Sequence, residues 1–113
     1  MKDLLAQLLE CTGFQWDEGN AEKNWVKHKV SRAECEEMFY NEPLLVALDV
    51  SHSHTEPRLY ALGQSDEKRV LFVVFTIRER VIRVISARDV SRRELKEYER
   101  AQSEAAGSQG PEV

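Results

Sequence analysis

The stretch 70-VLFVVFTIRERVIRVISAR-88 decides the fold of this chain. Its first eight residues, Val70–Ile77, are aliphatic, aromatic or β-branched, which is typical of a central strand covered on both faces. Val81–Arg88 has the composition of a second strand and follows after a link of only three residues. Since so short a link joins neighbouring antiparallel strands, the stretch predicts a β-hairpin.

Three shorter segments upstream of the hairpin have strand patterns as well. Leu44–Val50 is apolar, and Arg58–Gly63 alternates after the polar loop SHSHTEP at 51–57. Phe14–Trp16 is short and alternating, as in an edge strand. The two longer segments and the hairpin predict about four antiparallel strands.

Helix signals flank these strands. Asp17 is the predicted N-cap of a helix that runs to about Lys29. Ser31–Glu34 and Ser91–Glu94 are capping boxes, in which the serine and the glutamate satisfy free amides at a helix start. Segregated helices and strands indicate the α+β class, with two N-terminal helices, about four antiparallel strands and a C-terminal helix.

The chain divides into a single predicted domain and two flanking segments. Residues 14–104 form the domain. Residues 1–13 are a weakly amphipathic leader, expected either as a short helix docked on the body or as a frayed extension. Residues 105–113, AAGSQGPEV, are small and polar and are predicted to be disordered.

Length and composition exclude several classes of protein. The 113 residues are 42% hydrophobic and 32% charged, which suits about one globular domain and not a disordered chain. No apolar run is long enough to span a membrane, and the N-terminus lacks the uninterrupted apolar stretch of a signal peptide. Cys11 and Cys35 fit neither a metal spacing nor a disulfide framework, so a cytoplasmic protein with reduced thiols is expected.

The charge is unevenly distributed. Overall it is −4, but residues 1–57 hold 5 Lys/Arg against 11 Asp/Glu, and residues 58–100 hold 11 against 7. Most of the basic residues in the second part are arginines, whose planar forks bind two phosphate oxygens at once. The pattern indicates a localised phosphate or nucleic-acid surface; the alternative is that these arginines are solvated faces of strands and helices.

Two histidine arrangements are candidates for chemistry. His52 and His54 have a chelating spacing, but they lie in a loop without nearby third and fourth ligands, so a metal site there is a remote interpretation. His28 follows Lys27 near a helix end, with Lys23 one turn back, and such a histidine can act as a general base or grip phosphate. Alternatively His28 is packed on the Ala21–Trp25 side of the helix or caps its C-terminus.

Arg83 stands out because it lies between apolar residues of a predicted strand. In a regular strand Arg83 and Arg88 face opposite sides of the sheet, so they share a pocket only if a bulge intervenes or Arg88 lies past the strand end. The alternative for Arg83 is a salt bridge to an acidic helix such as residues 34–37. Arg58, after Pro57, is expected to pair with Glu56.

A series of motifs in this order resembles the BrnT toxins of bacterial type II toxin–antitoxin pairs. The resemblance covers residues 14–100, and ISAR and W-D…K-H are its most distinctive parts. The motifs are F-x-W-D-E at 14–18, K-x-x-x-K-H at 23–28, S-x-x-E at 31–34, E-x-R at 56–58, G-x-S at 63–65, I-R-V-I-S-A-R at 82–88 and S-R-R-E-x-x-x-Y at 91–98.

The resemblance implies a RelE-like α+β fold and a metal-independent ribonuclease that blocks translation. It also implies a BrnA-type antitoxin, which binds DNA and forms a 2:2 heterotetramer with the toxin, and it implies no cofactor and no membrane association. By analogy with the family, the catalytic residues are His28, Arg58, Arg83 and Arg88, and the substrate-binding residues are Lys23, Lys27, Ser86 and Tyr98.

The roles implied for these residues follow the chemistry of RNA cleavage. The RNA 2′-hydroxyl attacks its own phosphate, His28 or a nearby lysine handles a proton, and the arginines stabilise the charge on the phosphoryl oxygens. Tyr98 is a candidate for base stacking or proton relay, with helix-to-sheet packing as the alternative. The arginine-rich half is expected to contact the antitoxin.

The chain departs from the family pattern at two turns and in its charge. Lys29 replaces a glycine that usually follows the first helix, and Glu79-Arg80 replaces a common Gly-Asp in the hairpin. The net acidity weakens RNA binding at physiological salt. The alternative function is therefore a non-catalytic protein-binding module with the same fold, which buried and salt-bridged His28 and Arg83 would favour.

Overall fold

The computed structural model of the chain describes residues 4–49 and 56–108. Within these ranges a five-stranded sheet has the order β1-β5-β4-β3-β2. The elements in chain order are α1 (Leu4–Leu9), β1 (Gly13–Gln15), α2 (Glu18–His28), α3 (Arg32–Met38), β2 (Leu45–Leu48), β3 (Leu59–Gln64), β4 (Val70–Arg78), β5 (Val81–Asp89) and α4 (Arg92–Ser108).

The α+β class is confirmed, and its details differ from the prediction in three places. The sheet has five strands and is mixed, because β1 adds to β5 in parallel. The leader contains α1, so three helices precede the hairpin instead of two. The last helix continues to Ser108, past the predicted end near Glu104, and residues 109–113 of the predicted tail lie outside the described residues.

One face of the sheet carries the hydrophobic core. Met38 and Cys35 of α3 are fully buried against it, together with Val73 and Phe75 of β4. The Phe39 ring meets the Phe75 ring edge-on, with 5.2 Å between centroids. This packing fixes which face of the hairpin points inward and leaves the opposite face, called here the outer face, for other contacts.

A β-bulge in β5 decides which side chains reach the outer face. Val74 lies opposite Ser86, whereas the next residue, Phe75, lies opposite Val84, so Ile85 is an extra residue in β5. The extra residue reverses the alternation after Val84. As a result Arg83, Ser86 and Arg88 all lie on the outer face, which regular alternation forbids.

Both predicted capping boxes are confirmed. The Glu34 amide donates to the Ser31 hydroxyl at 3.1 Å, and the Ser31 amide donates back to the Glu34 carboxylate at 3.0 Å. The same reciprocal pair joins Ser91 and Glu94. Asp17 caps α2 as predicted, by accepting from the Asn20 amide.

At the two positions where the family pattern has glycine, this chain holds left-handed backbone conformations with other residues. Lys29 takes the left-handed conformation at φ 55°, and its amide donates to the Asn24 and Trp25 carbonyls, so α2 ends sharply without a glycine. Glu79 and Arg80 both have positive φ, at 50° and 68°, as in the type I′ turn of a tight hairpin. Non-glycine residues therefore hold conformations that glycine adopts at lower cost.

The buried residue of α2 lies next to the Ala21–Trp25 side, on which His28 would be packed in the alternative given above. Asn24 is the buried residue of this helix, and Trp25 is 51% exposed. The reason is a contact with the sheet edge: the Ala87 amide of β5 donates to the Asn24 side-chain oxygen at 3.2 Å. Because this amide needs an acceptor where β1 has ended, α2 presents its asparagine to β5 and turns its tryptophan outward.

Candidate nucleic-acid interface

A row of side chains crosses the outer face of the sheet near the hairpin turn. Arg83 of β5 lies opposite Thr76 of β4, and Gln15 of β1 lies on the other side of Arg83. The register of β3 with β4, extended by one residue, places Arg58 beside Thr76. Two predicted catalytic arginines therefore flank one threonine across three neighbouring strands.

Three arginines stabilise the negative charge of the Glu56 carboxylate. Arg78 binds Glu56 with both ends of its fork, at 2.8 Å from Nη2 to Oε1 and 3.0 Å from Nε to Oε2. The hydrogen bond from Arg78 is the main cause that lowers the pKa of Glu56, and the positive charges of Arg83 and Arg58 lower it further. The expected partner of Glu56, Arg58, contributes to this electrostatic effect, and the fork of Arg78 supplies the hydrogen bonds described above.

Arg83 has a long contact with a carboxylate. Its Nη2 lies 4.0 Å from the Asp17 side chain, and 29% of the Arg83 side chain is exposed. The alternative partner predicted from sequence, the acidic helix at 34–37, is engaged elsewhere, since Glu34 binds Arg69 and Glu36 accepts from the Trp16 indole. The Arg83 guanidinium is thus partly solvated and borders the row.

The predicted substrate-binding residue Ser86 adjoins this row, and Lys23 and Lys27 are placed on one side of α2 by helical spacing. Ser86 is half-buried on the outer face, one step along β5 past the bulge. Ala21 and Trp25 line the groove between α2 and residues 30–32. By helical spacing the exposed Lys23 and Lys27 lie on the other side of α2, which borders the outer face.

His28 is not brought into the row. It is the last residue of α2, and its carbonyl accepts a hydrogen bond from Arg69, which also binds Asp89 at the end of β5. Arg83 instead faces Asp17, at the opposite end of α2, roughly 16 Å of helix away. The structure therefore separates His28 from Arg83, one of the arginines that were predicted to share its site.

Arg69, to which the sequence analysis assigned no role, holds together the elements that meet at the C-terminal end of α2, near His28. Its Nε and Nη2 bind the Asp89 carboxylate at 2.7 and 3.0 Å, and its Nη1 binds Glu34 at 3.0 Å. The same fork donates to the carbonyls of His28 and Lys29. All five donors of the guanidinium are used, so Arg69 ties α2, α3 and β5 together.

Arg88 reaches the outer face but is committed to another contact. Its fork binds both oxygens of Glu94, at 2.8 and 3.0 Å, and its guanidinium stacks on the Phe72 ring at 4.1 Å. The hydrogen bond from Arg88 is the main cause that lowers the pKa of Glu94. Arg88 therefore joins β5 to the start of α4, at the far end of the face from Arg83.

Tyr98 is a correction to the predicted substrate-binding set. It is completely buried, and its hydroxyl donates to the Pro43 carbonyl at 2.7 Å. A ring without exposed surface cannot stack on an RNA base, so the structure supports the alternative of helix-to-sheet packing. Burial also raises the pKa of the Tyr98 hydroxyl, which keeps it protonated.

This placement gives a simple expectation for Tyr98→Phe. The variant loses one hydrogen bond and leaves the Pro43 carbonyl without its partner, so it is expected to lower the free energy of unfolding by about 1 kcal/mol. RNA cleavage is expected to stay unchanged at a temperature where both proteins are folded. Urea unfolding and an initial-rate assay measure the two effects, and a large fall in rate with unchanged stability would restore a functional role for the hydroxyl.

The metal interpretation concerns residues outside the described ranges. His52 and His54 lie outside them. Among residues 4–49 and 56–108, no group of three or more His, Cys, Asp or Glu side chains is placed to hold a metal ion. In the same ranges no helix is long and apolar enough to cross a membrane.

A small α+β protein that displays arginines from neighbouring strands on one sheet face has the surface expected of a phosphate- or nucleic-acid-binding domain. Comparison with protein families makes this specific. Residues 16–94 match the family described as the ribonuclease toxin, BrnT, of type II toxin–antitoxin systems. The chain belongs to this family, as the motifs in its sequence predicted.

A solved structure has the same fold. The 1.1 Å crystal structure of the Brucella abortus ribonuclease toxin BrnT matches with a TM-score of 0.52 and 23% sequence identity, over 72% of this chain and 99% of that chain. No curated protein sequence matches the chain. Membership of the family implies an RNA target and an antitoxin partner.

Proposed function

We propose that the chain is a metal-independent endoribonuclease toxin that inhibits translation in the cytoplasm and is neutralised by a BrnA-type antitoxin. The observation that carries the proposal is the pair Arg58 and Arg83, which flank Thr76 on the outer face. Guanidinium groups on both sides of a phosphate stabilise the charge that develops on its oxygens during cleavage. The RelE-like arrangement that the family resemblance implies is part of this proposal.

The reaction needs no group from outside the RNA and the protein. The 2′-hydroxyl attacks the adjacent phosphorus in line, the 5′-oxygen leaves, and a 2′,3′-cyclic phosphate remains. A proton leaves the 2′-hydroxyl and another reaches the 5′-oxygen. We assign the charge stabilisation to Arg58 and Arg83, phosphate binding along the face to Ser86, Lys23 and Lys27, and proton transfer to His28 or a lysine near it.

The position of His28 decides how this assignment is tested. Arg69 binds both the His28 carbonyl and Asp89, which places His28 at the end of β5 away from Arg83. By helical spacing Lys23 and Lys27 lie on the side of α2 that borders the outer face, and Lys23 is the nearer of the two to Asp17 and Arg83. Proton transfer by a lysine predicts that Lys23→Ala lowers the rate more than His28→Ala does. Proton transfer by His28 requires that substrate binding bring the end of α2 closer to the row.

The test is cleavage of bulk RNA by the purified protein in excess chelator, beside His28→Ala, Lys23→Ala and Arg58→Ala. Cleavage is expected to survive chelation and to fall by about a hundredfold in at least one variant, which is the usual scale for loss of a general acid or base. Cleavage that stops with chelator and returns with added metal would contradict the proposal.

The ion pairs on the outer face favour one other function. Arg78, Arg88 and Arg83 each lie within 4.0 Å of a carboxylate of the chain itself, on Glu56, Glu94 and Asp17 respectively. Such pairing is expected of a non-catalytic module that keeps the fold and binds only a protein partner. If purified protein cleaves no RNA and its expression is harmless with or without the antitoxin, this alternative holds.

The antitoxin is proposed to mask the arginine-rich half of the chain. Residues 58–100 hold 11 basic residues, including the row and the exposed start of α4. An acidic segment laid over this half would neutralise its charge and block RNA. A 2:2 complex that contacts DNA only through the antitoxin completes the proposal, and an interface confined to residues 1–57 would contradict it.

A further inference from the structure

The side chain of Thr76 is an unexplained polar group within the row formed by Gln15, Arg83, Thr76 and Arg58. Thr76 is 2% exposed, and its hydroxyl has no hydrogen-bond partner among the residues that the structure describes. It belongs to β4, the central strand of the sheet. A buried hydroxyl that forms no hydrogen bond costs stability, because the hydrogen bonds it would make with water are lost.

The local sequence makes this hydroxyl conspicuous. Every other residue of Val70–Ile77 is aliphatic or aromatic. Valine has nearly the shape of threonine and an equal preference for strands, so it would fill the same space without the cost. Buried polar groups without partners are rare in folded proteins and collect at functional sites, where a ligand supplies the missing partner.

The neighbours of Thr76 on the outer face identify the kind of ligand. Arg58 and Arg83 lie on either side of it across the sheet, and Arg78 is the next residue of β4 on the same face. Neighbouring strands are about 4.8 Å apart, so the backbones that carry Arg58 and Arg83 are about 10 Å apart, with the threonine midway. Two arginine forks that close on one anion from these positions meet above the Thr76 hydroxyl.

We propose that Thr76 is a further phosphate-binding residue, whose hydroxyl donates a hydrogen bond to a non-bridging oxygen of the RNA phosphate held by Arg58 and Arg83. The proposal rests on the proposed function and adds a neutral contact to its two charged ones. The side chains beside Thr76 are long arginines, and that of Arg83 is 29% exposed. Their movement towards an anion uncovers the hydroxyl and places the anion over it.

The closing experiment separates binding from cleavage. Thr76→Val removes the hydroxyl and keeps the shape, Thr76→Ser keeps the hydroxyl, and Thr12→Val makes the same chemical change at an exposed position. Binding is measured by fluorescence anisotropy with an RNA oligonucleotide whose 2′-hydroxyls are replaced by hydrogen and which therefore cannot be cleaved. Cleavage is measured with ordinary RNA, and folding by thermal unfolding.

Thr76→Val is expected to bind the oligonucleotide roughly tenfold more weakly and to cleave RNA at least tenfold more slowly, since it loses a hydrogen bond to a charged group. Its unfolding temperature is expected to equal or exceed that of the parent protein, because the buried unpaired hydroxyl is gone. Thr76→Ser is expected to recover most of the binding, and Thr12→Val to behave like the parent.

The remaining outcomes are distinct. If Thr76→Val binds and cleaves like the parent protein, the role of Thr76 is overturned while the proposed function stands. If the parent protein binds and Thr76→Val binds weakly, but neither cleaves RNA, the phosphate contact stands and the nuclease proposal fails. If the parent protein neither binds the oligonucleotide nor cleaves RNA, both are overturned. Should Thr76→Val fail to fold, Thr76→Ser and Thr76→Ala supply the same comparison, because they differ only by the hydroxyl.

Discussion

Replacing Arg83 with alanine is expected to lower the rate of RNA cleavage by about a hundredfold or more, because it removes one of the two guanidinium groups that stabilise the charged phosphoryl oxygens. The effect on folding is expected to be small. The Arg83 side chain is partly exposed and contacts Asp17 only at 4.0 Å, so its removal leaves no buried charge unpaired. Initial rates in excess chelator and thermal unfolding measure the two quantities.

Two further variants make the Arg83 result specific. Arg80→Ala removes an exposed arginine from the turn of the same hairpin, without touching the outer face, and is expected to leave cleavage unchanged. Arg83→Lys keeps the charge but loses the planar fork and is expected to lower the rate roughly tenfold. Equal rates for Arg83→Ala and Arg80→Ala would show that the row is not the site of cleavage.

Replacing Arg69 with methionine is expected to lower the free energy of unfolding by about 2–3 kcal/mol. The methionine keeps the apolar stem but removes every donor of the fork. The carboxylates of Glu34 and Asp89 then lose their bound cation, and the carbonyls at the end of α2 lose a partner. Urea unfolding at neutral pH measures the loss, with Arg93→Met, an exposed site on α4, as control.

The same variant predicts a change in the pH dependence of stability. Hydrogen bonds from Arg69 are the main cause that lowers the pKa of Asp89. For Glu34 burial acts to raise the pKa, but hydrogen bonds from Ser31 and Arg69 outweigh it and lower the pKa overall. A lowered carboxylate pKa stabilises the fold at pH values above the unfolded-state pKa, and this stabilisation is lost as the pH falls through the lowered folded-state pKa.

The stability difference between the parent protein and Arg69→Met is therefore largest above about pH 4.5, the ordinary pKa of a glutamate, and shrinks as the pH falls through the lowered pKa values of the two carboxylates in the folded protein. Urea unfolding of both proteins at several pH values measures the difference. A difference that stays constant over this range would mean that Arg69 stabilises the fold through the backbone carbonyls alone.

Much of the fold was predictable because its signals are local. The central hairpin follows from the composition of residues 70–88, and the starts of α3 and α4 follow from serine and glutamate three residues apart. The parallel pairing of β1 with β5 was not predictable in this way. A strand of three residues has no periodicity to read, and its partner lies more than sixty positions away in the chain.

The candidate site was predictable in residue type and not in grouping. Arg83 could be identified because a charged residue is unusual within an apolar strand, and Arg58 because it belongs to a family motif. No sequence pattern identified Thr76 as a site residue, since threonine is common in strands. Only its burial without a hydrogen-bond partner, between two arginines, drew attention to it.

The sequence by itself determined the α+β class, the capped helix starts, the central hairpin and the family to which the chain belongs. Only the tertiary structure decided which of the candidate residues meet. The bulge at Ile85 put Arg83 and Ser86 on one face, and the hydrogen bond with the Ala87 amide turned Asn24 inward. The packing of α4 against the rest of the protein buried its Tyr98. The physical reason is that periodicity within an element is set by neighbours along the chain, whereas a bulge, an edge contact or a buried ring is set by partners that are distant in sequence.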